Sequence, residues 1–200
     1  VRAQEKDSLL VIFWNLENFF DWRDQDTGES DCEFSSHGSR SWTKSRFYSK
    51  CNAVSKSIFW ISDHYGRMPD MLGVCEIENK GVLKRLLSST LLRKYDYDII
   101  HFDSKDRRGI DVAILYRKST FQLLSTSLKT PMYNGTEMST RDMLHAQMRC
   151  IPSGDTLDFI VCHHPSKYGG AEESQGRRYA AMESLAELCD SIRSDKQIVM

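Results

Sequence analysis

Short apolar runs of strand length, interleaved with three helical stretches, restrict this chain to a mixed α/β fold. Residues 8–15 (SLLVIFWN) and 70–79 (DMLGVCEIEN) are rich in β-branched and aromatic residues and predict buried strands. Between them Phe47, Cys51, Val54, Ile58 and Ile61 recur at three and four residues, the apolar stripe of a helix from Thr43 to His64. Thr43 suits its N-cap, and Gly66 and Pro69 end it. A short helix over 81–92 is followed by strands at 95–102, 109–118, 121–130 and 141–150. The turn IPSGD leads into TLDFIVCHH, closing a hairpin. A long helix from Glu172 to Arg193 turns Tyr179, Met182, Leu185, Ala186, Leu188 and Cys189 inward, and KQIVM begins another strand. Interleaved helices with several hairpins predict a mixed sandwich rather than a purely parallel, doubly wound sheet.

The 200 residues suffice for one real core and are read as a single domain, 1–200. A net charge of -1 argues against a general nucleic-acid coat protein, although a local basic site is compatible with it. No apolar run is long enough to span a bilayer as a helix. The opening VRAQ reads as the remainder of a cleaved leader or as an ordinary terminus, with export slightly favoured over a cytoplasmic location. Six cysteines show no C-x-x-C spacing; Cys75, Cys150 and Cys162 read as small buried hydrophobes, and Cys32 and Cys51 could pair in an exported protein. Asp21, Asp24, Asp26, Glu29, Asp31 and Glu33 crowd one loop without EF-hand spacing, so the loop is expected to be solvated.

Polar residues interrupt the apolar runs where strands end. Asn15 ends the first, Glu76 the second, and His163 ends FIVC, while Asp111 lies inside GIDVAILY. Charge at a strand end is costly unless paired or bound to metal. Glu76 either caps the following helix or, with Asn15 nearby, holds Mg²⁺ through oxygen ligands; Glu17 and Glu78 are alternates. Asp111 alternates away from Ile110 and Val112 and either faces solvent or joins the polar strand ends at a site. Adjacent strand residues face opposite ways, so only one of His163 and His164 can serve a given site. Ser166 and Lys167 supply a hydroxyl and a cation suited to phosphate, and Arg141, Arg177 and Arg178 are further phosphate donors or plain surface residues.

In order along the chain, FWNLENFFD, LGVCEIEN, RRGIDVAILYRK, STRDML and IVCHHPSKYGG resemble the endonuclease/exonuclease/phosphatase superfamily, including its bacterial members. The resemblance implies the deoxyribonuclease I-like fold, a four-layer α/β/β/α sandwich of mixed sheets. It implies a metal-dependent hydrolase of phosphoester bonds, of nuclease, phosphodiesterase or phosphatase type. Position by position it makes Asn15 an orienting residue for metal or phosphate and Glu76 the metal ligand, with Glu17 a second acidic ligand. Arg141 would contact phosphate, His163 would stand beside the scissile phosphate, and Ser166, Lys167 and Arg178 would extend the phosphate wall. His164 takes a place often held by tryptophan and is read as structural. The implied cofactor is Mg²⁺, with Mn²⁺ or Ca²⁺ as substitutes, and the implied partner is a phosphoester substrate, nucleic acid among the options.

Relatives carry Gly-Asp-x-Asn after the strand that follows the long helix, and an Asp-His pair near the C-terminus. Here the sequence stops at QIVM. The expectation is a fold incomplete at the C-terminus, belonging to a longer enzyme and without turnover of its own. Two alternatives stay open: an inactive binding module of the same fold, and a lipid phosphodiesterase, for which no exposed apolar hairpin stands out. Tyr133, in PMYNGTEM, could stack on a base or sit in a plain turn.

Overall fold

The computed structural model describes residues 8–26, 28–167, 169–192 and 196–200; VRAQ lies outside them. The first strand, β1 (Val11–Phe19), runs past Asn15 and pairs in parallel with β2 (Met71–Ile77). Antiparallel β4 (Asp111–Arg117) and β3 (Tyr97–His101) complete a sheet of order β1-β2-β4-β3. The second sheet joins β5 (Phe121–Lys129), β8 (Met143–Cys150), β9 (Thr156–Val161) and β10 (Gln197–Val199) in the order β10-β9-β8-β5. A small ribbon, β6 (Met132–Tyr133) with β7 (Thr136–Glu137), turns at Asn134 and Gly135, both left-handed. Tyr133 sits in that turn with its hydroxyl against Gly176, the plain-turn reading.

Three apolar clusters stack these elements into four layers. Helix α1 (Lys44–Tyr65) and helix α2 (Lys80–Ser89) put Phe47, Val54, Ile58, Leu83 and Leu86 against Leu72, Val74, Ala113 and Leu115. Met71, Val112, Ile114 and Tyr116 meet Phe121, Leu144, Phe159 and Val161 between the sheets. Helix α3 (Gln175–Ile192) covers the outer face of the second sheet at Met143 and Ile160. This is the expected α/β/β/α arrangement.

The termini of α1 follow local chemistry. Thr43 accepts a hydrogen bond from Arg46 N, and left-handed Gly66 donates to Ser62 O. Helix α2 stops sooner than expected. Thr90 is extended, its hydroxyl donating to Leu86 O and accepting from Leu92 N, and a 3-10 turn (Leu91–Lys94) follows.

Several expectations are corrected. Helix α3 buries Ala180, Ala181, Ser184, Leu185 and Leu188, while Tyr179 and Met182 are exposed. Small side chains let the helix lie close to the sheet, and Ser184 Oγ accepts from Met132 N. The acidic loop is not simply solvated: Asp21 and Asp31 are buried. Asp21 pairs with Arg23 at 3.1 Å and Arg85 at 2.6 Å, and its own N–H donates to buried Glu78. Asp111 is buried rather than exposed, because the 102–110 loop folds back and supplies Ser104 N to its carboxylate. Cys32 is exposed, Cys51 is buried, and all six cysteines are free thiols. Cys162 is only half-buried.

Candidate active site

The site grows from an irregularity shared by β1 and β2. Pairing jumps from Asn15↔Cys75 to Phe19↔Ile77, so Leu16, Glu17 and Asn18 stand opposite Glu76 alone. Glu17 (φ 53), Asn18 (φ 56) and Glu76 (φ 58) are all left-handed. That conformation costs roughly 1–2 kcal/mol for a side chain other than glycine, and it persists where surroundings over-determine it. Here Cys75 packs into the inter-sheet core and Ile77 into the helix-side core, so Glu76 is extruded between them.

Hydrogen bonds hold the extruded residues in place. Asn15 Nδ2 donates to Glu76 Oε1 at 3.0 Å, and Asn18 N donates to Glu76 Oε2 at 3.0 Å. Glu17 N donates to Asn15 Oδ1 at 2.7 Å. Lys50 Nζ, on α1, donates to Glu17 O at 2.7 Å and lies over the Trp42 and Phe19 rings. Burial lowers the pKa of Lys50, opposed by the Glu17 and Glu76 carboxylates. Among the described residues each Glu76 oxygen accepts one side-chain or backbone hydrogen bond, which leaves a lone pair on each. A carboxylate oxygen donor at a strand end fits a hard divalent cation.

His163 approaches from the other sheet. Its Nε2 lies 3.7 Å from Glu76 Oε1, whereas buried Nδ1 has no hydrogen-bond partner among the described residues. Burial first, then Arg141, pushes its pKa down to about 4, against the opposing pull of Glu76. The imidazole is therefore neutral at pH 7, with one nitrogen able to accept a proton and the other to donate one.

Arg141 lies beneath this histidine, 6% exposed. Its Nε and one terminal nitrogen donate to His163 O at 3.1 and 2.8 Å, that same nitrogen donates to His164 O at 2.7 Å, and the other donates to Asp106 Oδ2 at 2.8 Å. Four guanidinium N–H groups are thus committed to protein. The residue expected to touch phosphate instead clamps the chain that carries His163.

Glu17 is exposed on the left-handed corner, its backbone bound to Asn15 and Lys50, and among the described residues its carboxylate makes no hydrogen bond or ion pair. Ser166 and Lys167 are exposed on the segment leaving β9. Arg178 donates to Ala171 O and ties the approach to α3, its buried Nε unpartnered. Lys50, Asp106 and the Asn18 N–H are contributors that the sequence reading omitted. Lys50 had a signal: it falls between Phe47 and Val54 beside Cys51, at the edge of the apolar stripe. Asp106 had none, since its partner Arg141 is distant in sequence.

Residues 10–200 match the endonuclease/exonuclease/phosphatase family. The chain belongs to that family. Structures of family type resemble it in fold: a mannosyl-6-phosphatase of Bacteroides thetaiotaomicron at TM-score 0.55 and 16% identity, covering 96% of this chain and 64% of that one. A second Bacteroides thetaiotaomicron family protein gives 0.55 and 17%, covering 96% and 62%. A humanised TDP2 of D. rerio gives 0.52 and 18%, covering 96% and 59%. The family chain described here thus spans about six-tenths of those relatives' length. No curated protein matches it in sequence.

Proposed function

We propose that this family member is a divalent-metal-dependent hydrolase of phosphoester bonds, with Mg²⁺ held at Glu76 and oriented by Asn15. The observation that carries the reading is the meeting of Asn15, Glu76 and His163 at the ends of two different sheets. Glu76 would hold the ion, which would supply polarisation of phosphoryl oxygens. Asn15 and the Asn18 N–H fix the Glu76 carboxylate. Neutral His163 donates a hydrogen bond to a non-bridging oxygen or moves a proton, a contribution of about 10²–10⁴ in rate. Arg141 keeps His163 in place through its backbone. Lys167 and Ser166, on the exposed segment beyond, meet the substrate's outer charge.

The substrate is read no more narrowly than a phosphoester, with nucleic acid included. The related phosphatase bears a name that specifies a phosphomonoester, so both monoesters and diesters belong in the assay. The test is release of p-nitrophenol from its phosphate mono- and diesters by the protein, with and without Mg²⁺. Mg²⁺-dependent turnover lost in Glu76→Gln supports the reading. Turnover undiminished by EDTA contradicts it.

A further inference from the structure

A second set of metal-ligating side chains lies at the edge of the first sheet. β3 ends at His101, β4 begins at Asp111, and Asp103 stands on the loop between. One ligand atom from each lies within 4.8 Å of the other two. The His101 and Asp111 side chains are only 4% and 6% exposed. Asp103 is exposed and, among the described residues, makes no hydrogen bond or ion pair.

The charge around this group differs from that around three other acids with buried side chains. Asp21, Asp70 and Asp106 each face an arginine. Among the described residues, Asp111 has His101 as its one ion-pair partner, at 3.3 Å. The comparable pair His145–Asp158 closes to 2.8 Å, is supported by Gln147 and Ser127, and among the described residues forms no three-ligand group with a second carboxylate. At His101, two carboxylates converge on one imidazole, and among the described residues neither makes an ion pair with a lysine or arginine. A buried carboxylate such as Asp111 is stable when a counter-ion sits beside it.

We propose that His101, Asp103 and Asp111 bind a first-row divalent ion, Zn²⁺ or Mn²⁺, separate from the ion at Glu76. One nitrogen with two carboxylate oxygens suits those ions, whereas Ca²⁺ and Mg²⁺ favour oxygen-only sets. Two ligands come from rigid strand ends and the third from the exposed start of a loop, an entry path for the ion. The same loop reaches the candidate active site. Ser104 N donates to Asp111 Oδ1, Asp106 N donates to Ser104 Oγ, and Asp106 holds Arg141, which clamps His163. An ion drawing Asp103 onto Asp111 would fix the loop end on which that chain of contacts depends. Binding itself does not rest on the hydrolase reading.

The test is Zn²⁺ titration of the metal-stripped 200-residue protein, by competition with a chromophoric chelator. The proteins are wild type, Asp103→Ala, His101→Gln and Glu76→Gln, each checked for fold by circular dichroism. Asp103→Ala removes an exposed side chain without hydrogen bonds, so its fold is expected to survive. The expected result is one tight Zn²⁺ site present in wild type and retained in Glu76→Gln, with affinity at that site at least about tenfold weaker in Asp103→Ala and His101→Gln. Wild-type affinity in both of those variants would overturn the proposal, as would no binding by wild type. Loss confined to Glu76→Gln would overturn it too, while leaving the hydrolase reading intact.

Discussion

His163 Nε2 stands 3.7 Å from Glu76 Oε1, while the same ring's buried Nδ1 has no partner among the described residues. One nitrogen therefore faces the Glu76 carboxylate, and the other bears a desolvation cost until a ligand or proton meets it.

That burial makes stability depend on pH. The pKa of His163 is depressed to about 4 in the fold, below its ordinary 6.5. The unfolded chain then binds the extra proton first, so His163 favours the fold fully above about pH 6.5 and loses that contribution as pH falls toward 4. The effect is on the order of 2–3 kcal/mol. Urea melts of wild type and His163→Phe at pH 7 and pH 4.5 check it: the gap between the proteins should shift in the variant's favour at the lower pH.

Arg141→Lys should destabilise the fold by about 3 kcal/mol, because one ammonium cannot span two carbonyls and Asp106 and a buried carboxylate loses its partner. Urea denaturation measures this. In the Asp106→Asn background the further loss should be clearly smaller, since the two residues share one interaction.

Glu17 is left-handed, and among the described residues its carboxylate accepts no hydrogen bond. Glu17→Gly should raise stability by up to about 1 kcal/mol, the relief of strain less glycine's extra chain entropy. Glu17→Val should lower it. Thermal melts decide the sign.

Cysteine reactivity follows burial. Burial raises the thiols of Cys51 to about 11 and Cys75 to about 12. Native alkylation read by mass spectrometry should mark exposed Cys32 first and leave Cys51 and Cys75 until denaturant is added.

Strand ends were legible because apolar runs broke at single polar residues, and Asn15, Glu76 and His163 stood out for that reason. A mixed sandwich followed from periodicity and hairpin signals, and the four-layer order from the resemblance of five segments to the family. The packed face of α3 was not legible, because size suggested Tyr179 and Met182 where close approach selected Ala180, Ala181 and Ser184. Nor were the buried states of Asp21 and Asp111, whose partners Arg85, Glu78 and Ser104 are set by tertiary folding. Arg141 could be recognised as a site residue, but its clamp on two backbone carbonyls depends on a strand-end geometry that no spacing encodes.

The most direct measurement is Mn²⁺ binding, followed by loss of the free-ion resonance signal, in Asp103→Ala and in Asp103→Ala with Glu76→Gln. The first variant removes the proposed second site and leaves Glu76 as the remaining candidate centre. The account predicts one bound Mn²⁺ in the single variant and at least about tenfold weaker binding once Glu76 is neutral, on the scale of a lost ligand contact. Equal affinity in the two proteins would contradict the assignment of Glu76 as the metal ligand.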